Sequence, residues 1–394
     1  MYCFTGLQRE MNKYLAILYL SILAFQLDGQ DSIPAVKSEL KFQGQLSSFA
    51  HYNGGNELPL LLSGRYIPRV NYGLFLKNSQ LIDFEYSANI YGNAGFAPFT
   101  YSDFNGKIKN YRAWARYSTQ QFELRAGLQK INFGSASLLR PLMWFDQVDP
   151  RDPLGLTDGV WGILGRYYFL NNANLWLWGL IGNDNPKGWE IAGTTKNKIE
   201  FGGRLQMPLT VGEMALSYHQ RKVDLSEIAP EFSTLKEIPD YRIGFDTKLD
   251  VVVGLWLEGS WVFKDVDLGM FKNQEIINMG ADYTFGVGNG LNATVEQLVM
   301  SYDEKAFAFD NVTTFSLLNL SYPIGMFDNL STIIYYNWTD HKAYNFINWQ
   351  KQFDKKTLFV MAYWNPKEYR IPTQNTEQTL FAGKGIQLMF VWNH

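Results

Sequence analysis

The 394-residue chain contains no apolar run of the 18 or more residues that a membrane-crossing helix requires. Helical membrane spans are therefore excluded, whereas a barrel whose strands carry one polar face is allowed. Cysteine is nearly absent. Cys3 stands alone, upstream of every strand-forming segment, so disulfides and cysteine-held metals are ruled out. The four histidines, His51, His219, His341 and His394, are scattered without metal-ligand spacing, and there is neither a nucleophile elbow nor a phosphate loop. No cofactor and no metal are expected. An excess of one charge is lacking too: 35 basic and 38 acidic residues leave a net charge of −3 with no basic block, which removes nucleic acid as a partner.

What the chain has in quantity is aromatic side chains, 12 Trp, 23 Tyr and 28 Phe, at a mean hydropathy of −0.19. Aromatic girdles at two membrane interfaces account for such a surplus. From about residue 39 to the last residue, segments of alternating apolar and polar character repeat, each closed by a turn. A period of two puts successive side chains on opposite faces of a strand. In Phe122 to Gln129, for example, Phe122, Leu124, Ala126 and Leu128 oppose Glu123, Arg125 and Gln129.

About eighteen such strands are predicted, near 39–50, 64–76, 81–92, 107–118, 121–132, 159–170, 174–183, 197–206, 212–222, 240–249, 253–264, 275–286, 290–301, 311–321, 330–339, 344–352, 356–365 and 384–392. The count becomes sixteen if the faintest, among 197–206, 311–321 and 344–352, fall away. Brief connections such as 77–80, 118–120, 170–173, 250–252, 286–289 and 353–355 alternate with long ones at 51–63, 93–106, 133–158, 223–239, 265–274, 302–310 and 366–383. Short turns on one rim and long loops on the other define an all-β, transmembrane, antiparallel up-and-down β-barrel. Ahead of it, Arg9 and Lys13 precede the apolar run Tyr14 to Phe25, too short to span a bilayer and followed by polar residues. Residues 1–29 therefore read as a signal peptide and 30–394 as one outer-membrane barrel domain.

Charges on the polar faces must look into the lumen, since one facing lipid at the midplane costs roughly 2–4 kcal/mol. Arg112, Arg116, Glu123, Arg125 and Arg166 are candidates for a lumen wall, along with Arg65, Arg69, Asp83, Glu85, Glu258 and Glu296. Opposed charges across a narrow pore create a transverse field that selects ions, although neighbouring Arg and Glu can equally pair and stiffen the wall. The connection 133–158 is the most distinctive. Water-exposed loops gain nothing from Leu138, Leu142, Met143, Trp144, Phe145 and Leu154, so part of it is expected to be buried, and Pro141, Pro150 and Pro153 give it a rigid path.

The run from Arg125 to Tyr168, with Gly127-x-Gln129-x-Ile131-x-x-Gly134, Asp149-Pro150-x-Asp152-Pro153 and Gly159-Val160, resembles Gram-negative outer-membrane porins over about a tenth of the chain. The ending Phe390-Val391-Trp392-Asn393-His394 resembles the aromatic last strand of outer-membrane barrels, but two polar residues follow the last aromatic one. The porin resemblance implies that loop 133–158 folds inward as a constriction, with Arg140, Asp146, Asp149, Arg151 and Asp152 facing the charged wall. It also implies an outer-membrane location in a Gram-negative bacterium and homo-trimers as a common assembly.

The leading expectation is a passive diffusion channel, surrounded by outer-membrane lipid and carrying small hydrophilic solutes, not an enzyme. Trp114 and Trp256 fall on polar-side positions, too few rings for a sugar track. One rival is a non-conducting barrel that anchors or assists a secretion or surface complex through an exposed apolar 133–158 loop. Another is a membrane hydrolase using His219, which shares its face with Ser217 and Arg221.

Overall fold

The alternating segments fold as eighteen strands in one antiparallel sheet. The computed structural model describes residues 37–55, 57–97, 100–226, 236–367 and 378–394, so the expected signal segment lies outside the described residues. The strands are β1 (Lys37–Tyr52), β2 (Leu60–Phe75), β3 (Leu81–Ala97), β4 (Thr100–Ser118), β5 (Phe122–Gln129) and β6 (Val160–Tyr168). They continue as β7 (Asn174–Leu180), β8 (Glu200–Leu209), β9 (Gly212–Val223), β10 (Ile238–Asp250), β11 (Gly254–Lys264) and β12 (Asn273–Phe285). The last six are β13 (Leu291–Asp303), β14 (Val312–Pro323), β15 (Asp328–Asn337), β16 (Lys342–Gln352), β17 (Lys356–Trp364) and β18 (Lys384–Asn393). Each pairs with its sequence neighbours, and β1 pairs with β18 from Gln45 opposite Asn393 to Tyr52 opposite Ile386, which closes the barrel. All eighteen expected strands are present, including the three faintest.

Side chains alternate as the period demands. On β9, Leu216 and Tyr218 are exposed on the lipid face, while Ser217, His219 and Arg221 are buried toward the lumen. Closure gives both flanks of the sheet a hydrogen-bonding neighbour along most of the ring, the condition for crossing hydrocarbon.

One expected long loop is absent. Residues 93–97 and 100–106 belong to paired strands, with β3 running to Ala97 and β4 starting at Thr100. Their glycine and asparagine content imitates a loop, but Gly92 pairs with Gly106, and the Phe104 ring lies 3.5–3.6 Å from where a β-carbon would stand on either glycine. That ring shields the bare backbone and keeps the ladder intact. Within the same hairpin the register slips at Tyr111, since Ser87 pairs with Arg112 and Ala88 with Asn110. A bulge of this kind reverses which parity faces inward.

The terminal residues seal the seam. Gly44 and His394 exchange backbone hydrogen bonds of 3.0 and 2.9 Å, and the imidazole Nε2 is 3.0 Å from the Tyr66 hydroxyl. The ring also sits against Trp392 and Phe42, at centroid distances of 5.1 and 5.7 Å, so this polar last residue supplies the aromatic end that the sequence lacks in name. His394→Ala is expected to destabilise the barrel by about 1–2 kcal/mol, with His394→Phe retaining most of that. Urea unfolding midpoints in lipid vesicles check this, and an alanine variant equal to the native chain would contradict it.

Candidate functional site

The loop between β5 and β6 crosses the lumen, and the glycines of its first segment explain how. Gly127 has φ of +120°, and a β-carbon there would lie 2.2 Å from the Ala113 carbonyl oxygen, so only glycine fits where β5 bends. Gln129 is fully buried and donates to the carbonyls of Arg125 (3.3 Å) and Gly162 (3.1 Å). Gly134, with φ of +110°, lies against the carboxylate of Glu258, where a β-carbon would come within 2.5 Å.

Beyond that point two wall carboxylates hold the loop by its main chain. Glu258 accepts from the backbone N–H groups of Ala136 (2.8 Å) and Leu142 (2.6 Å). Glu296 accepts from those of Ser137 (2.8 Å), Leu138 (3.1 Å) and Leu139 (2.6 Å). Asn278 donates to the Leu139 carbonyl at 2.5 Å, Ser135 to Asp246 at 2.8 Å, and the Trp144 indole to Ser260 at 3.0 Å. Charge-assisted bonds to backbone N–H are among the stronger kinds, and here they bridge the barrel from β5 to β13. Leu142, Met143, Trp144 and Phe145 are each under 5 % exposed, and Leu142, Trp144 and Phe145 pack with Ile131, Phe133, Leu164 and Trp178. The apolar surface that a docking scaffold would display from this loop is therefore spent inside the barrel.

A second loop, 181–199, locks the first, and sequence reasoning missed it. The Trp189 indole donates to the Arg140 carbonyl (2.7 Å), and Glu190 is salt-bridged to Arg221 (3.1 Å) and Arg242 (2.8 Å). Its sequence is mostly polar and glycine-containing, and the one signal it offered was the pair Trp189 and Ile191, apolar side chains inside a connection. The segment 378–383 closes a third side, with Leu380 and Phe381 carbonyls accepting from the Tyr363 hydroxyl (3.0 Å) and the Asn365 amide (2.7 Å).

Beside these loops lies a cavity of about 480 Å³ against β18 and β1–β4. Its wall presents Arg65 and Lys109; its loop side presents Asp149, Arg151 and Asp152. Apolar patches from Phe49, Tyr91, Leu154 and Met389 lie between them. The Asp-Pro-x-Asp-Pro motif makes this limb stiff: Asp149 accepts from the Arg151 N–H (2.9 Å) and Asp152 from the Leu154 N–H (2.9 Å), two successive side-chain-closed turns. Asp149 also pairs with the Arg151 guanidinium, which stands 4.9 Å over the Phe381 ring. Burial raises the Asp152 carboxyl above the ordinary carboxylate range, against the pull of the Leu154 and Leu156 N–H groups and of Arg65.

The sequence-predicted residues fall into three groups, with Arg112 standing apart. Asp149, Arg151 and Asp152 line the cavity. Arg140 and Asp146 are buried inside the loop, joined at 2.8 Å, with Arg140 also donating to Asn132 and to the Phe133 carbonyl. Arg116, Glu123, Arg125 and Arg166 form one cluster on β4–β6: Glu123 is within 3.0–3.7 Å of all three arginines, and Arg116 grips Asp83 with two bonds of 2.8 Å. Trp114 lies beneath Arg125 and Arg116 (4.7 and 5.5 Å), whereas Trp256 is buried flat against Gly280. Arg112 ties the wall to the loop by donating to the Thr157 carbonyl at 2.9 Å. Lys109 was missed because the bulge at Tyr111 turns it inward against the simple parity.

His219 has both nitrogens engaged, Nδ1 accepting from the Trp178 indole (3.1 Å) and Nε2 bonded to Glu200 (3.2 Å), among Trp144 and Phe145 rings. No nitrogen is left to activate Ser217, which instead accepts from Arg204 at 3.1 Å.

Among solved structures, the chain superposes on OccAB4 and OccAB1 of Acinetobacter baumannii, each with a TM-score of 0.54, at 10 % and 8 % identity. The alignments cover 92 % and 90 % of this chain and 100 % and 95 % of those. The barrel has the porin fold. No family model matches the sequence, and no curated protein matches it. At this identity the porin fold is common ground while the lumen chemistry is this chain's own.

Proposed function

We propose that this barrel is a passive channel in the outer membrane of a Gram-negative bacterium, admitting small hydrophilic solutes past a charged constriction. The observation that carries the reading is the eccentric cavity itself, with Arg65 and Lys109 on the wall opposite Asp149 and Asp152 on a loop anchored across the lumen. Opposite charges across a narrow aqueous path order water and discriminate between ions. The arginine cluster on β4–β6 extends a positive lining along the same wall, and outer-membrane lipid surrounds the apolar exterior. Assembly as a homo-trimer belongs to the same proposal.

Single-channel recording in a planar bilayer tests this: steady ion current is expected, and its absence would favour a non-conducting anchor. In the double variant Asp149→Asn/Asp152→Asn the reversal potential in a salt gradient is expected to move toward anions, while Arg65→Gln moves it toward cations. An unchanged potential in both would remove these residues from the constriction. Because the Asp152 carboxyl is raised, its ionised form is disfavoured in the folded chain, so lowering the pH relieves that cost while deleting a negative charge. The reversal potential is therefore expected to move toward anions on acidification before ordinary carboxylates, near pH about 4, take up protons.

A further inference from the structure

The wall of this barrel is not of even height. β3 and β4 contain 17 and 19 residues, whereas β5, β6 and β7 contain 8, 9 and 7, at or below the roughly 9–11 that a tilted crossing strand needs. The ladder between β4 and β5 runs only from Ala113 to Ser118. Above it β4 continues with β3 on one side, while the place next to its other edge is vacated where the chain turns inward after Gln129.

At that notch lies a second cavity of about 290 Å³. Its lining mixes the two faces of the wall. Lys109 also lines the lumen cavity, but its neighbour Asn110 is exposed on the outer face, where the exposed Tyr86 hydroxyl donates to it at 3.1 Å. Trp161, 42 % exposed among the lipid-facing residues of β6, lines the same space. Consecutive strand residues point to opposite sides of an intact sheet, so one cavity touches both only where the sheet is interrupted. Lys109, Gln147, Thr157, Asp158, Asn185 and Pro186 line both this cavity and the lumen cavity, which makes the two adjoin. The Lys109–Asp158 salt bridge, half-exposed, stands at their junction. The chemistry of the walls is amide, hydroxyl and charge: Asn110, Asn183, Asn185 and Gln147 with Lys187. Such a lining holds water and hydrogen-bonding solutes and disfavours acyl chains.

The geometry points to a lateral mouth: small hydrophilic solutes reach the constriction through the side of the barrel, between the free edge of β4 and the ends of β6 and β7. This rests on the channel reading and adds a route to it. The Lys109–Asp158 pair forms the inner sill, offering either charge to an arriving polar solute, and the 185–187 segment forms the roof.

The test uses Asn110→Cys in the full chain, reconstituted in lipid, with a bulky, charged, membrane-impermeant methanethiosulfonate, and Leu124→Cys on the lipid face as the comparison. Rapid labelling of the cysteine at 110, slow labelling at 124 and a stepwise fall of the single-channel current upon labelling at 110 are expected. A conducting barrel whose current is unchanged after complete labelling, confirmed by mass, would overturn the lateral mouth alone. Failure of the reagent to reach position 110 would do the same. A barrel silent before any labelling would remove the channel reading, and this route with it.

Discussion

Glu258→Ala/Glu296→Ala is expected to raise single-channel conductance several-fold and to make the current noisy. The two carboxylates accept five backbone N–H groups of the crossing loop, and each hydrogen bond to a charged group contributes about 1.5–3 kcal/mol. Removing both leaves those five donors buried and unpaired, a cost the loop escapes by leaving the lumen. Its stiff Asp-Pro limb, Asp149 to Pro153, moves with it, so the constriction widens and charge selectivity falls together with the rise in conductance. The single variants are expected to be milder, since either remaining carboxylate still holds one end. Conductance equal to the native chain in the double variant would show that the loop is kept in place by its apolar contacts, Leu142, Trp144 and Phe145, without need of the carboxylates.

Glu190→Ala is expected to be the most destabilising single change. Arg221 and Arg242 are each about 2 % exposed and share Glu190 and Asp240, with Lys264 nearby. Without Glu190, three cations are left with one carboxylate in a dry site, and breaking a buried ion pair from one side typically costs 3–5 kcal/mol. The urea midpoint in vesicles measures it. Glu190→Gln, which keeps the shape and some hydrogen bonding, is expected to fall between alanine and native. An unaffected midpoint for Glu190→Ala would mean that water enters this site and solvates the guanidinium groups.

Most of the architecture was legible in the residue pattern because strand alternation depends on local chemistry alone. The buried loop was legible too, since Trp144 and Phe145 have no reason to stand in water. What escaped the sequence was of another kind. Glu258 and Glu296 looked like wall charges facing solute, and their partners turned out to be main-chain N–H groups, which every residue carries and no sequence distinguishes. Glu190 sits in a connection whose composition is that of any surface loop. The β3–β4 extension hid behind glycines that one phenylalanine, Phe104, covers. Arg140 and Asp146 looked like opposed constriction charges, yet the five residues of loop between them let the two side chains neutralise each other inside its fold.

The cavity is walled on one side by Ser47 and Phe49 of β1 and by Gln387 and Met389 of β18, the two strands whose meeting completes the ring. On the proposed channel reading, selectivity therefore depends on the strand pair that closes the ring. A polypeptide cut short before β18 would lack half of this wall, leaving an open trough, so for this molecule finishing the circle and enclosing the cavity are one event.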